Sequence, residues 1–251
     1  MTDKENHVIT FKGKTAKAFV QNLYFLSRLS PFARILIEAD TKAYIYAVER
    51  SERAAAIVKM KDIPVVKMDN VFRVSSIPKL ITKLSFEKVE ITKEGIFINS
   101  FERRQNNRVY LKLKWVNYEY PPLPPLKLPY RYIFRLEKRK IQNVLDLFSL
   151  LEIDELKITV HSRSITLQGV GSEMLLTIPM SEHKSGNNDV EATIAVYIPS
   201  SYAKLIHTLL KIADNILLQL HKNKPLLVTG VSSLAPSKFE ISLIISSRHR
   251  V

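Results

Sequence analysis

SSIPKLITKL at residues 75–84 and SSYAKLIHTL at residues 200–209 share six of ten positions: the paired serines, the Lys-Leu-Ile core and the last leucine. In a chain of 251 residues, such a match 125 positions apart points to an internal duplication. Each copy follows a strand-like run, 71–74 and 192–198, and opens on serines, which are favoured at helix N-termini. A Ser-Ser-capped helix is therefore expected twice, over 75–84 and 201–213. Pro78 falls in the first turn of the first copy, where its missing amide proton does little harm.

Reading outward from these helices gives the same order of elements in both halves. In the first half, 8–12 alternates like a strand and 14–29 has helical spacing, with Phe19, Leu23 and Leu26 on one face. Strands are expected at 33–38, 43–48, 54–60, 71–74, 89–92, 95–100 and 108–114. In the second half, strand 130–136 precedes a helix over 138–151, whose Ile141, Val144, Leu145, Phe148 and Leu151 share a face. Strands follow at 156–160, 164–168, 173–180, 192–198, 216–220, 226–229 and 239–245, with a polar loop HKSGNND at 183–189. Between the halves lies YEYPPLPPLKLPY, 118–130, too rich in proline to be a helix or a central strand. The expected organisation is an α+β chain of two similar domains, 1–116 and 130–251, joined by a linker over 117–129. Each domain would be a β-sheet with two short helices on one face.

The helix faces not needed for the core are basic. Lys14, Lys17, Gln21, Tyr24 and Arg28 align on the first helix, Lys79 and Lys83 on the second. The third opens with Lys138, Arg139 and Lys140 and continues with Gln142, and the fourth aligns Lys204, His207 and Lys211. Asp146 is the one carboxylate among them. Solvated helix faces ordinarily mix signs. The net charge of +14 extends the bias to the whole chain and points to a polyanion, nucleic acid ahead of an anionic membrane surface. No helix begins with the clustered Asn, Gln and Arg of a base-reading helix, so phosphate contact without sequence readout is expected.

Other chemistries find little material. There is no cysteine, so neither a disulfide framework nor a thiolate site is possible. His7, His161, His183, His207, His221 and His249 show no zinc-ligand spacing. QGVGSE, 168–173, has two glycines where a dinucleotide fingerprint needs three, and a β-turn is expected there. Glu152, Asp154 and Glu155 read as solvated carboxylates in a turn. No enzyme activity, cofactor or metal is expected. The polar start MTDKENHVIT and the lack of a long apolar run predict an intracellular, soluble protein (cytoplasm, nucleoid or nucleus) with no membrane partner.

On the twinned Ser-Ser helices, the linker leading into YRYIFRL (130–136) and NKPLLVTG (223–230), the chain resembles the sliding DNA clamps, the proliferating cell nuclear antigen family with its archaeal and viral members. The resemblance covers about residues 8–246. It implies a DNA-clamp fold and a ring, a trimer closed head to tail, that encircles duplex DNA as a processivity factor. Such a ring tethers DNA polymerase and other replication and repair proteins, and a clamp loader places it on DNA. The DNA-facing residues would be Lys14, Lys17, Arg28, Lys79, Lys83, Lys138, Arg139, Lys140, Lys204, His207 and Lys211. The subunit interface would pair RVYLKLK (Arg108, Tyr110, Leu111, Leu113) with MLLTIPM (Met174, Leu175, Leu176, Ile178) of the next copy. A partner-peptide pocket would include Val48, Leu123, Leu126, Leu128, Tyr130 and Pro225. Unlike the family, this chain is basic overall and ends in ISLIISSRHRV where clamps carry Ala-Pro-Lys. The other reading is a basic DNA-binding accessory protein that has a clamp-like fold but forms no ring.

Overall fold

The computed structural model describes residues 9–38, 43–64, 66–75, 77, 84–102, 107–125, 130, 132–150, 153–160, 164–171, 175–181, 194–221 and 224–246. The chain divides into two compact units. The first is Met1–Leu123 with Val231–Ile241, and the second is Pro124–Gly230 with Ser242–Val251. Residues 117–125, at the junction, form neither helix nor strand.

The first unit runs β1 (Ile9–Lys12), α1 (Gly13–Ser27), β2 (Phe32–Ile37), β3 (Ala43–Val48), β4 (Ala54–Met60), β5 (Met68–Arg73), β6 (Leu84–Thr92), β7 (Gly95–Glu102) and β8 (Arg108–Val116). Its strands lie in the order β1-β6-β7-β8-β5-β2-β3-β4, and the registers are antiparallel. Gly13, at φ +54°, turns the chain from β1 into α1 through a conformation that costs other residues strain. The expected apolar stripe is the buried one: Phe19, Leu23 and Leu26 are at most 1% exposed. Phe19 stacks on Phe11 at 5.1 Å between ring centroids, and Phe239 completes the cluster at 5.4 Å from Phe11. Burying each such side chain contributes about 1.5–3 kcal/mol. Asn22 is the exception on α1: it is 2% exposed, and neither its amide oxygen nor its nitrogen has a partner among the described residues.

Strand β6 is longer than the expected 89–92 and begins at Leu84, the position expected to end the Ser-Ser helix. The reason is a register shift between Phe86 and Lys88 opposite β7. This bulge lets Leu84, Phe86, Val89 and Ile91 all face inward although their spacing breaks strict alternation. Of the expected 75–84 helix, Ser75 lies in a turn and Ile77 in a 3₁₀ turn, while residues 76 and 78–83, including Lys79 and Lys83, lie outside the described residues.

The second unit comprises β9 (Tyr132–Arg135), α2 (Lys138–Leu150), β10 (Glu155–Val160), β11 (Ser164–Val170), β12 (Leu175–Ser181), β13 (Ile194–Pro199), α3 (Ser200–Ile212), β14 (Ala213–Leu220) and parts of β15 (Leu226–Ser232) and β16 (Phe239–Ile245), whose residues 231–232 and 239–241 belong to the first unit. One sheet is ordered β12-β11-β10-β13 and another set runs β9-β14-β15-β16. The QGVGSE stretch is not a turn at its start, because Gly169 and Val170 continue β11. A Cβ at Gly169 would come within 2.9 Å of Ile153 Cγ2 and 3.2 Å of Phe148 Cε1, so glycine lets α2 close onto the strand. The Ser-Ser pair does not cap α3. Pro199 occupies the N-cap with no side-chain hydrogen bond, and both serines fall in the first turn. The Ser200 amide donates instead to the Asp154 carbonyl oxygen at 2.9 Å, which gives one of the free first-turn donors a backbone partner. The loop 183–189 lies outside the described residues.

Candidate nucleic-acid interface

Helix α1 presents Lys14, Lys17 and Arg28 to solvent, with Gln21 and Tyr24 half-buried along the same face. None of the three cations forms an ion pair among the described residues. The first turn contains no acidic residue, and the N-cap is Lys12. Positive side chains at a helix N-terminus oppose the helix dipole, a local cost that an external anion would relieve.

Helices α2 and α3 pack against each other in the second unit. Gln142 Nε2 on α2 reaches the Leu210 carbonyl oxygen on α3 at 3.5 Å, and His207 Nε2 on α3 lies 2.9 Å from Asp146 on α2. Burial and the neighbouring Lys211 push the His207 imidazole down from its ordinary range, against the opposing pull of Asp146. The lowered value favours the neutral imidazole, whose Nε2–H would donate to the carboxylate. Lys138 is held by Asp214 of β14 at 2.8 Å, and Lys140 by Glu137 at 2.8 Å. Arg139, Lys204 and Lys211 are exposed and make no ion pair among the described residues. The near-uniform positive charge expected on these faces is therefore partly neutralised: by Asp214 from β14, by Glu137 just before α2 and by Asp146 across the α2–α3 contact.

The strands expected at a subunit interface lie at sheet edges. From Arg108 to Lys114, β8 pairs only with β7, and its other edge has no strand among the described residues. Tyr110 is 68% exposed and Leu111 half-buried, while Leu113 is buried within its own unit, so its backbone rather than its side chain lies at the edge. Arg108 sits over the Phe101 ring at 5.8 Å. Strand β12, with Leu175, Leu176 and Ile178, ends its sheet and, among the described residues, pairs only with β11; Met174 lies outside the described residues. Two further exposed apolar residues escape a reading of the sequence: Leu147 at 39% and Leu150 at 79% exposure on α2. They lie one turn apart and off the buried stripe of Ile141, Val144 and Phe148. That offset is the signal that could have found them.

Of the expected peptide-pocket residues, Val48 is buried on β3, and its amide donates to the Tyr120 hydroxyl at 2.9 Å. Leu123 is half-buried in the same unit. In the second unit Tyr130 and Pro225 are half-buried. The Tyr130 hydroxyl has no partner among the described residues, and burial pushes it up to about 12. Leu126 and Leu128 lie outside the described residues. Among the described residues, no three His, Asp or Glu side chains gather as a metal would require, and no helix is long and apolar enough to cross a membrane.

No family model matches the sequence, and no curated protein matches it. Solved structures do. The proliferating cellular nuclear antigen of Entamoeba histolytica matches with a TM-score of 0.76 at 14% identity, covering 96% of this chain and 98% of that one. The PCNA2–PCNA3 complex of Sulfolobus tokodaii contains a chain that matches with a TM-score of 0.77 at 10% identity, covering 96% and 99%. With two β-rich units, short helices and end-to-end agreement with both structures, this chain has the fold of the sliding clamps.

Proposed function

We propose that the chain is a subunit of a sliding DNA clamp, a non-enzymatic ring that encircles duplex DNA and tethers polymerase and other replication or repair proteins to it. The observation that carries this reading is the cationic face of α1, uncommitted to any carboxylate among the described residues, on a clamp-fold chain of net charge +14. Lys14, Lys17 and Arg28, with Lys79, Lys83, Arg139, Lys204 and Lys211, contact phosphates by exchangeable ion pairing, while Lys138, Lys140 and His207 contribute less. Contacts of this kind release counterions and read no bases, so the ring slides. Copies join by continuing the sheet from the β8 edge of one to the β12 edge of the next, which satisfies both rows of backbone groups. Such a head-to-tail contact closes when its rotation does, here as a trimer. Val48, Leu123, Leu126, Leu128, Tyr130 and Pro225 receive partner peptides, and a loader opens the ring on DNA.

Solution mass and topology test this together. A particle of three times 28.8 kDa, retained on covalently closed DNA after loading and released when the circle is cut, is the expected result. Tyr110→Asp, on the β8 edge, should shift the particle toward monomer. A monomer that binds linear and closed DNA alike would overturn the ring and favour the basic accessory protein, a reading to which the high net charge also lends support.

A further inference from the structure

Strand β5 pairs with β2 along its whole length, from Met68 to Arg73. On its other side it pairs with β8 only through Val71–Val116 and Phe72–Trp115. Continuing that register would set Asn70 against Asn117 and Asp69 against Tyr118, but no such pairs form. The chain peels away after Val116 and opens a cleft of about 570 Å³, lined by Asp69, Asn70 and Trp115 through Tyr120. That volume lies within the roughly 300–1,000 Å³ of ordinary ligand sites.

The far wall is pinned open. The Tyr120 hydroxyl donates to the Phe32 carbonyl oxygen at 2.9 Å and accepts from the Val48 amide at 2.9 Å. Tyr118 stacks on Phe32 with centroids 4.7 Å apart and remains 51% exposed. The guanidinium in the lining, Arg34, is committed to both carboxylate oxygens of Asp69 at 2.6 and 2.7 Å, and also reaches the Tyr120 carbonyl oxygen at 3.3 Å. The one charge left over in the lining is the exposed carboxylate of Glu119, which has no partner among the described residues.

We propose that this cleft is a docking site for an extended peptide segment of a partner protein that carries a lysine or arginine. The backbone edge of β5 at Asp69 and Asn70 accepts the segment as an added strand. Its cation sits between the Glu119 carboxylate and the exposed Tyr118 ring, which combine charge pairing with cation–π attraction. Nucleic acid is the wrong chemistry here: among the described residues the cleft has no free cation to meet a phosphate, and Glu119 repels one. The site shares no residue with the peptide pocket proposed above at Val48, Leu123, Leu126, Leu128, Tyr130 and Pro225, and the inference does not depend on ring closure.

Trp115 is the only tryptophan in the chain, so its emission reports on this cleft alone. The full chain would be titrated with a pool of end-capped pentapeptides with lysine fixed at the centre and threonine, valine or isoleucine elsewhere, then with the matched glutamate pool. The expected result is a saturable change in Trp115 emission that is weaker for the glutamate pool. Glu119→Gln and Tyr118→Ser should each weaken lysine-pool binding by roughly two- to fivefold, as removal of one exposed interaction does. DNA association should be unchanged in both variants. No saturable change at millimolar peptide, equal response to both pools, or displacement of bound peptide by single-stranded oligonucleotide would each overturn the assignment.

Discussion

Helix α1 and the pair α2–α3 look alike in sequence, each a lysine-bearing face over an apolar stripe, yet they differ in how their charge is held. On α1 the cations have no ion-pair partner among the described residues, and the helix packs against the strands of its unit. On α2 and α3, Asp214, Glu137 and Asp146 reach Lys138, Lys140 and His207. A helical projection identifies which face is turned outward. It says nothing of the carboxylates that a neighbouring strand or helix brings to that face, and those decide how much charge remains for a ligand.

The largest expected effect sharpens the packing side of this contrast. Leu23→Ala on α1 should cost about 2–5 kcal/mol in urea unfolding, as buried leucine truncations do. Asn22→Ala, one residue away and also buried, should cost less than about 1 kcal/mol, since it removes two buried polar atoms that lack partners. Equal losses at the two sites would mean that Asn22 has a partner.

Charge comes next. Neutralising Lys14 and Lys17 to glutamine should lower the slope of log affinity for duplex DNA against log salt by about 2, at roughly 0.9 for each phosphate no longer neutralised. The same change at Lys138 and Lys140 should lower it by less than about 1. Asp214→Asn, which removes the carboxylate paired with Lys138, should raise the affinity. Identical slopes for the two pairs would break the comparison between the helices.

The smallest effect is a pH dependence confined to the second unit's helices. Because the folded-state pKa of His207 is depressed, the unfolded chain takes up a proton more readily below pH 6.5, the ordinary value for the side chain. Stability that is full above 6.5 should fall with pH until the folded imidazole also protonates. Melting curves from pH 8 to 5 should show this fall in the wild type and not in His207→Gln. Helix α1 has no histidine to contribute such a step.

Much of the architecture is legible in the sequence because short apolar runs become buried strands: those at 43–48, 54–60 and 239–245 have the bounds expected of them, and the first two are buried at nearly every position. The first part of β6 is hidden by its bulge, since one extra residue between Phe86 and Lys88 breaks a period of two. The Ser-Ser pair misleads for a related reason. Capping propensity is local, whereas the Asp154 carbonyl that pairs with the Ser200 amide comes from just before another strand. Lys14, Lys17 and Arg28 are readable because nothing distant modifies them, and the Lys140–Glu137 pair is readable from its spacing of three, while the pairing of Lys138 and His207 requires the tertiary fold. The cleft beside Trp115 is invisible in the sequence, because it exists only where an established register stops.

The place of Phe239 bears on how the molecule comes into being. Its ring sits against those of Phe11 and Phe19, so residues at positions 11, 19 and 239 must meet. Contacts so remote in sequence slow folding, because a long chain must be closed before they repay the entropy. A fragment ending at Leu123 would lack this ring, and a nascent chain emerging from the ribosome could not finish its first unit until Phe239 had been made.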